Sequence, residues 1–319
     1  MTLAKLAKLA HVSISTVSKA FSMSPGVNEK TREAIFEIAR ANGCFYQFFN
    51  AKYQRYVIAV ICGEFKSRFY AEAMSLIQEQ LMPHHCEISV ATTNFSPDAE
   101  REILDYYTKY SSVDGIILFD CQTELADDLK IPIATVYPQC HNRNPISVQC
   151  DYCGALKTAI TYFTQCGFKS IGFINETVSN IRLNAYLTVM NELGLDVDPK
   201  YICTTEHRFE IGGYAATAKM IEEGRIPRAL ICSYDGMAIG AIRCLLDYGI
   251  RVPEDIAVMG INHNREDAYL NPSLSTIDPR IDKACRFVTD AMIEHLLGDK
   301  EERHTVIEAE LHLRKSTEI

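Results

Sequence analysis

The sequence predicts a small three-helix head joined to an α/β body of two doubly wound parallel-sheet lobes. Three observations carry that prediction. Apolar residues recur at helical spacing in three short segments before position 45. From Tyr56 onward, apolar strands and amphipathic helices alternate in two successive sets. Charge divides in the same place: residues 1–55 hold eight Lys or Arg against three Glu, a net of +5, whereas the chain of 319 residues is −9, leaving −14 for the remainder.

The head reads in order. Thr2 has the hydroxyl needed to cap a first helix, and Leu3, Leu6, Ala7 and Ala10 form its apolar stripe. His11-Val12-Ser13 reads as a tight turn, with Ser13 capping a second helix from Ile14 to Phe21. In that helix Val17, Ala20 and Phe21 make the inward stripe, and Ile14, Ser15, Ser18 and Lys19 the opposite face. Pro25-Gly26 turns the chain, Asn28 caps a third helix, and Asn42-Gly43 ends it. Two short helices around a tight turn, a third for support and a basic balance describe a helix-turn-helix aimed at a polyanion, hence at double-stranded DNA.

In the body, strands are expected at 56–62, 88–92, 115–119 and 133–136, with helices at 69–81 and 97–110. The second set places helices at 154–166, 181–193, 212–223 and 235–248, and strands at 170–174, 201–204, 229–232 and 256–260. Apolar strands alternating with helices imply parallel sheets covered on both faces. Ligands of such sheets bind at the carboxyl ends of the strands, here between the lobes.

Composition excludes other classes. With 47% hydrophobic and 23% charged residues the chain is ordinary for a globular protein. No apolar run reaches the ~18–20 residues of a membrane span, and no signal peptide is evident, so a cytoplasmic location is expected. Twelve cysteines are many, but Cys62, Cys203, Cys232 and Cys244 sit in apolar runs as core residues. Cys150-Asp-Tyr-Cys153 is a lone C-x-x-C; a thiol-responsive regulator using this pair is the alternative reading of function. His84-His85-Cys86 has no partner at metal-ligand spacing, and no metal or cofactor is expected. Neither G-x-x-x-x-G-K-[ST] nor G-x-G-x-x-G occurs, which leaves no support for a fused kinase. No catalytic residue is assigned and the chain is not read as an enzyme.

The specific motifs narrow this further. Val12-Ser-Ile-Ser-Thr-Val-Ser-Lys-Ala20, Ser24-Pro-Gly-Val27, Val113-Asp-Gly-Ile-Ile-Leu118, Val252-Pro-Glu-Asp-Ile-Ala-Val-Met-Gly260, Asn271-Pro-Ser-Leu-Ser-Thr276 and Arg314-Lys-Ser316 occur in one order along almost the whole chain. In these the sequence resembles the lactose-repressor (LacI/GalR) family. The resemblance implies a transcriptional regulator, usually a repressor, with a periplasmic-binding-protein-like body. It also implies a homodimer on a palindromic operator, and a small carbohydrate-related effector between the lobes. The domains expected are a head over 1–45, a hinge over 46–56 and a body over 57–319. Within the body, one lobe spans 57–148 plus 278–300 and the other 149–277 plus 301–319.

By position, the resemblance assigns base reading to Ile14, Ser15 and Lys19. Ser13, Thr16, Ser18, Asn28 and Thr31 fall to phosphates. Lys19 stands where Arg is common, so it lacks the rigid fork. The hinge departs from the family. Tyr46-Gln-Phe-Phe-Asn-Ala-Lys-Tyr53 has no Pro, and Tyr53 replaces the Leu that wedges into the minor groove. The aromatics Phe45, Tyr46, Phe48, Phe49, Tyr53 and Tyr56 are expected to pack the head onto the body or a partner subunit. For the effector the resemblance assigns Phe69, Tyr137, Arg182, Asp235 and Asn262. Asn262 replaces an Asp that binds sugar hydroxyls, which points to a less acidic, more aromatic cleft. That leaves modified, aryl-linked or acidic carbohydrates open, and non-sugar metabolites too.

Overall fold

The structure, a computed structural model, describes all residues except 46, 47, 49–55, 112, 126–130, 141–144, 179, 300 and 319. They form two compact units, Met1–Val57 with Met82–Glu87, and Ile58–Leu81 with Ile88–Ile319. Among the described residues no helix is long and apolar enough to cross a membrane.

The head contains α1 (Leu3–Leu9), α2 (Ile14–Phe21) and α3 (Glu29–Ala41). Each start is fixed by its side-chain cap. Thr2 Oγ1 accepts from Lys5 N at 3.3 Å, Ser13 Oγ from Thr16 N at 3.0 Å and Asn28 Oδ1 from Thr31 N at 2.8 Å. His11 makes the turn between α1 and α2 with φ 52°. Leu6, Ala7, Val17, Ala20, Phe21, Ile35 and Ala39 are buried together as the core. Phe45 and Phe48 join it, with ring centroids 5.9 and 5.6 Å from Phe21. For these two rings the expectation of packing onto the body or a partner is corrected. A unit this small has few large apolar residues, and these rings complete its own core. Tyr46, Phe49 and Tyr53 lie outside the described residues.

The body begins with β1 (Tyr56–Cys62), α4 (Arg68–Leu81), β2 (Cys86–Thr92), α5 (Pro97–Asp105), β3 (Gly115–Phe119), β4 (Ile133–Val136) and β5 (Ile146–Asp151). The second set is α6 (Tyr152–Gln165), β6 (Ile171–Glu176), α7 (Ile181–Glu192), β7 (Ile202–Thr205), α8 (Phe209–Glu222), β8 (Ala229–Cys232), α9 (Asp235–Asp247), β9 (Ala257–Ile261) and β10 (Ser275–Asp278). The chain ends with α10 (Ile281–Leu296), β11 (Arg303–Glu308) and β12 (Glu310–His312).

Lobe 1 is a sheet in the order β11-β5-β4-β3-β1-β2, and lobe 2 one in the order β12-β10-β9-β8-β6-β7. The pairs β1–β3, β3–β4, β6–β8, β8–β9 and β9–β10 are parallel, and the short edge strand β12 is antiparallel to its neighbour β10. Lobe 2 holds two core layers, one under α6 and α7 and one under α8 and α9. The latter helices pack closely because Gly213 and Gly240 carry no side chain. A Cβ on Gly213 would strike the Met237 carbonyl, and one on Gly240 that of Glu210.

Several boundaries differ from expectation. β11 pairs in parallel with β5 from Arg303 to Glu308, so residues 303–308 belong to lobe 1, not to the second lobe as expected for 301–319. β5 likewise extends to Asp151, past the expected break at 148. α6 starts at Tyr152 and not Gly154, because Asp151 Oδ1 accepts from Gly154 N at 2.8 Å and caps it. The helix expected over 97–110 stops at Asp105 and finishes as a wider π-type turn, Tyr106–Tyr110. The chain thus crosses between lobes three times: near Asp151, between Asp278 and Ile281, and at Ala309.

Candidate functional site

On α2 the inward stripe is buried, while Ser13, Ile14, Ser15, Ser18 and Lys19 are exposed. Ile14 is 52% exposed, an apolar side chain left in solvent beside hydroxyls and a cation. Among the described residues it is not part of the head core. Thr16 and Thr31 are half-buried and Asn28 exposed. Ser13 and Thr16 share a hydroxyl contact of 2.8 Å, so one O–H of the pair stays free to donate outward. Tyr53 lies outside the described residues.

In the body, the strand-end loops of both lobes surround a cleft of about 480 Å³, next to a second depression of about 660 Å³ that shares Ser67, Phe69, Phe209, Tyr234 and Asn262. Backbone strain gathers here. Phe95, Asp120, Tyr137, Phe209, Asn262 and His263 all take positive φ, between 50° and 122°. Non-glycine residues in this region cost free energy and cluster at functional sites.

Three of the five expected effector residues line the cleft: Phe69, Arg182 and Asn262. Arg182 Nη2 donates to Asn262 Oδ1 and to the Tyr152 hydroxyl, each at 3.3 Å, and its guanidinium lies 5.1 Å from the Tyr152 ring. Among the described residues its Nε is buried without a hydrogen-bond partner. A buried charged donor without an acceptor is costly unless a ligand or water supplies one.

Tyr137 and Asp235 are corrected. Tyr137 stands behind the lining, its hydroxyl donating to Pro279 O at 2.6 Å and its ring 6.3 Å from Phe69. Asp235 is fully buried; Oδ1 accepts from Thr276 Oγ1 at 2.6 Å and Oδ2 from Asn264 N at 3.0 Å. It organises the loop after β9 and does not reach the cleft. Asp267 is buried against it. Burial first, then the Asp235 charge, push Asp267 up to about 9, so it keeps its proton at neutral pH.

The sequence reading missed the acidic half of the site. Asp120, just past β3, lines the cleft and accepts a short hydrogen bond from the Tyr70 hydroxyl. Burial pushes its carboxyl up to about 6, against the opposing pull of Tyr70 and Arg182. Glu176, at the end of β6, receives Arg208 Nε at 2.6 Å and the Tyr234 hydroxyl at 3.0 Å. Both carboxylates end apolar strands at the sheet's carboxyl edge, and that position was the available signal.

Arg208 also joins the lobes. It pairs with Glu64 of lobe 1 at 2.5 Å and lies 4.5 Å from the Phe95 ring centroid. At the rim, Arg68 and Glu72 of α4 pair with Glu266 and Arg265 of lobe 2. These exposed pairs contribute little each, whereas the half-buried Arg208 pair is better shielded from solvent.

The alternative thiol pair finds no support. Cys150 and Cys153 are free thiols, and burial pushes Cys150 up to about 12 and raises Cys153. A redox-sensing thiol needs the opposite shift.

A helix-turn-helix head and a two-lobed, strand-edge ligand cleft on one chain define a DNA-binding regulator with a ligand-binding body. Residues 2–43 match the family described as bacterial regulatory proteins, lacI family, and residues 160–317 the periplasmic binding protein-like domain. The head is that of the lacI family, the body carries a periplasmic binding protein-like domain, and the chain is a transcriptional regulator. Among its relatives, the ribose operon repressor of Haemophilus influenzae is 26% identical, over 99% of this chain and 98% of that protein. The fold matches a transcriptional regulator CelR–cellobiose complex with a TM-score of 0.70 at 22% identity. It also matches the Lac repressor dimer bound to operator and the anti-inducer ONPF, with a TM-score of 0.74 at 19% identity. Each covers 99% of both chains.

Proposed function

We propose that this regulator binds a palindromic operator as a homodimer and represses transcription, under the control of a carbohydrate held in the cleft. The observation that carries the effector class is the lining: aromatic walls around a nearly balanced set of donors and acceptors. Phe69, Phe95, Phe209 and Tyr234 supply apolar faces, Arg182, Gln139, Asn262 and Ser67 supply donors, and Asp120 and Glu176 supply acceptors. Arg208 is already neutralised by Glu64 and Glu176, so the site carries no surplus positive charge for an anionic ligand. A neutral polyol fits this balance, because each hydroxyl both donates and accepts while ring C–H faces stack on aromatics. Asp120 supplies the acidic acceptor that Asn262 lacks. The likeness to a cellobiose-bound regulator agrees with this class.

In this reading Ile14, Ser15 and Lys19 read bases, Lys19 reaching guanine acceptors and Ile14 a thymine methyl. Ser13, Thr16, Ser18, Asn28 and Thr31 hold phosphates, and Tyr53 takes the hinge position. Effector binding changes operator affinity only by preferring one lobe arrangement over another. Regulation of this kind involves no catalytic step and belongs in the cytoplasm.

Selection of duplexes from a random pool by the full-length protein tests the DNA half. A palindromic consensus is expected, and Lys19→Ala lowers affinity for it by about 1–3 kcal/mol while relaxing one position of each half-site. Unselective binding by the native chain would contradict the reading.

A further inference from the structure

Lobe 2 brings together three side chains that the regulator reading leaves unused. His263 follows β9, Asp278 ends β10 and His312 ends β12. Thr276 of β10 faces His312 of β12 in the antiparallel register, and strand alternation puts Asp278 on the same sheet face as Thr276. The two imidazole rings stack with centroids 4.0 Å apart and planes 17° from parallel. One ligand atom from each of the three residues lies within 4.8 Å of the other two. Among the described residues His312 Nε2 is buried without a hydrogen-bond partner, and it points toward Asp278 Oδ2, 3.7 Å away.

We propose that His263, Asp278 and His312 form a site for a borderline transition-metal cation, of which Zn²⁺ is the type, with its remaining coordination positions open to water. Two imidazoles and one carboxylate are the donor set such ions take. The neighbouring cations do not block the site. Arg314 Nη2 reaches His263 Nδ1 at 3.4 Å, a long contact that a metal displaces while Arg314 keeps its Nη1 bond to Leu274 O. Arg280 N occupies Asp278 Oδ1 at 2.7 Å and leaves Oδ2 facing the histidines, although Arg280 Nε is 3.8 Å from it. Parallel rings aim their lone pairs side by side, so loading requires the stack to splay by side-chain rotation.

The position gives the site a consequence. Asp278 precedes one crossing between the lobes, and β12 follows another at Ala309. Asn262, next to His263, lines the effector cleft. A metal here ties strands at two crossings to the loop carrying an effector contact, and changes effector affinity.

The test is titration of tag-free full-length protein with Zn²⁺ by calorimetry, and with Co²⁺ by visible absorption. The expected result is one equivalent per chain. His263→Gln, His312→Gln and Asp278→Asn each weaken binding at least tenfold, while His84→Ala and His85→Ala leave it unchanged. Native circular dichroism of the variants separates lost ligation from lost folding. His263→Gln, in a loop, is the variant least coupled to the sheet. Absence of a stoichiometric equivalent, equal binding by His263→Gln, or a thiolate-to-Co²⁺ charge-transfer band would overturn the site.

Discussion

The head and the cleft of this protein are built by opposite logic. The head is local: each helix start is set by a cap three residues away, and its core comes from one stretch of chain. The cleft is assembled across the body, with Ser67, Asp120, Glu176, Arg208 and Asn262 delivered by separate strand-end loops. The head therefore stands or falls with its small core, whereas the cleft depends on two sheets and on strained loop residues. If this contrast holds, damage to one region should spare the other.

The largest effect is expected in the head. Phe21 packs with Phe36, Phe45 and Phe48 at centroid distances of 5.0–5.9 Å. Phe21→Ala removes about 3–5 kcal/mol from that small core, enough to unfold it. Operator binding is lost while the effector still raises the melting temperature of the body. Loss of effector binding in this variant would break the contrast.

Arg182→Ala is the reciprocal experiment. It removes charged hydrogen bonds worth about 1.5–3 kcal/mol, a roughly 10- to 100-fold loss of effector affinity. Operator affinity without effector should stay within about twofold by fluorescence anisotropy. A smaller effect comes from Asp120. With its carboxyl pushed up to about 6, it is ionised at pH 7.5 and mostly protonated at pH 5. Effector affinity should fall by about tenfold across that interval, and Asp120→Asn should flatten the profile.

The smallest effect concerns stability alone. Asp267 has a folded-state pKa of about 9, above its unfolded value. Its contribution is complete below the unfolded pKa, near 4, and is lost as pH rises toward 9. Asp267→Asn is expected to raise the melting temperature by a few degrees at pH 8.5 and by less at pH 5. An equal shift at both values would show that the buried pair does not hold a proton.

The same contrast explains what could be read from the sequence. Thr2, Ser13 and Asn28 announce their helices because caps act over three residues, and strand–helix alternation revealed both lobes. Asp235 looked like a ligand because it follows an apolar strand, yet Thr276 and the Asn264 amide turn its carboxylate inward. Tyr137 occupies a strand end in the same way, but its hydroxyl is drawn to Pro279 O from a crossing 142 residues away in sequence. Such partners set side-chain direction and have no local signature. For the same reason β11 was given to the wrong lobe, since only its pairing with β5 decides where it belongs. The histidine pair was invisible too, since His263 and His312 meet only through the register of β10 and β12.

The central claim is that a ligand in the cleft sets the affinity of the head for DNA. Its most direct test is anisotropy of the selected operator titrated with the full-length protein at fixed salt, with and without saturating carbohydrate found by a thermal-shift screen. A change of at least fivefold in operator affinity is predicted, and in Arg182→Ala it should require roughly 10- to 100-fold more carbohydrate. A carbohydrate that stabilises the body yet leaves operator affinity unchanged would contradict it.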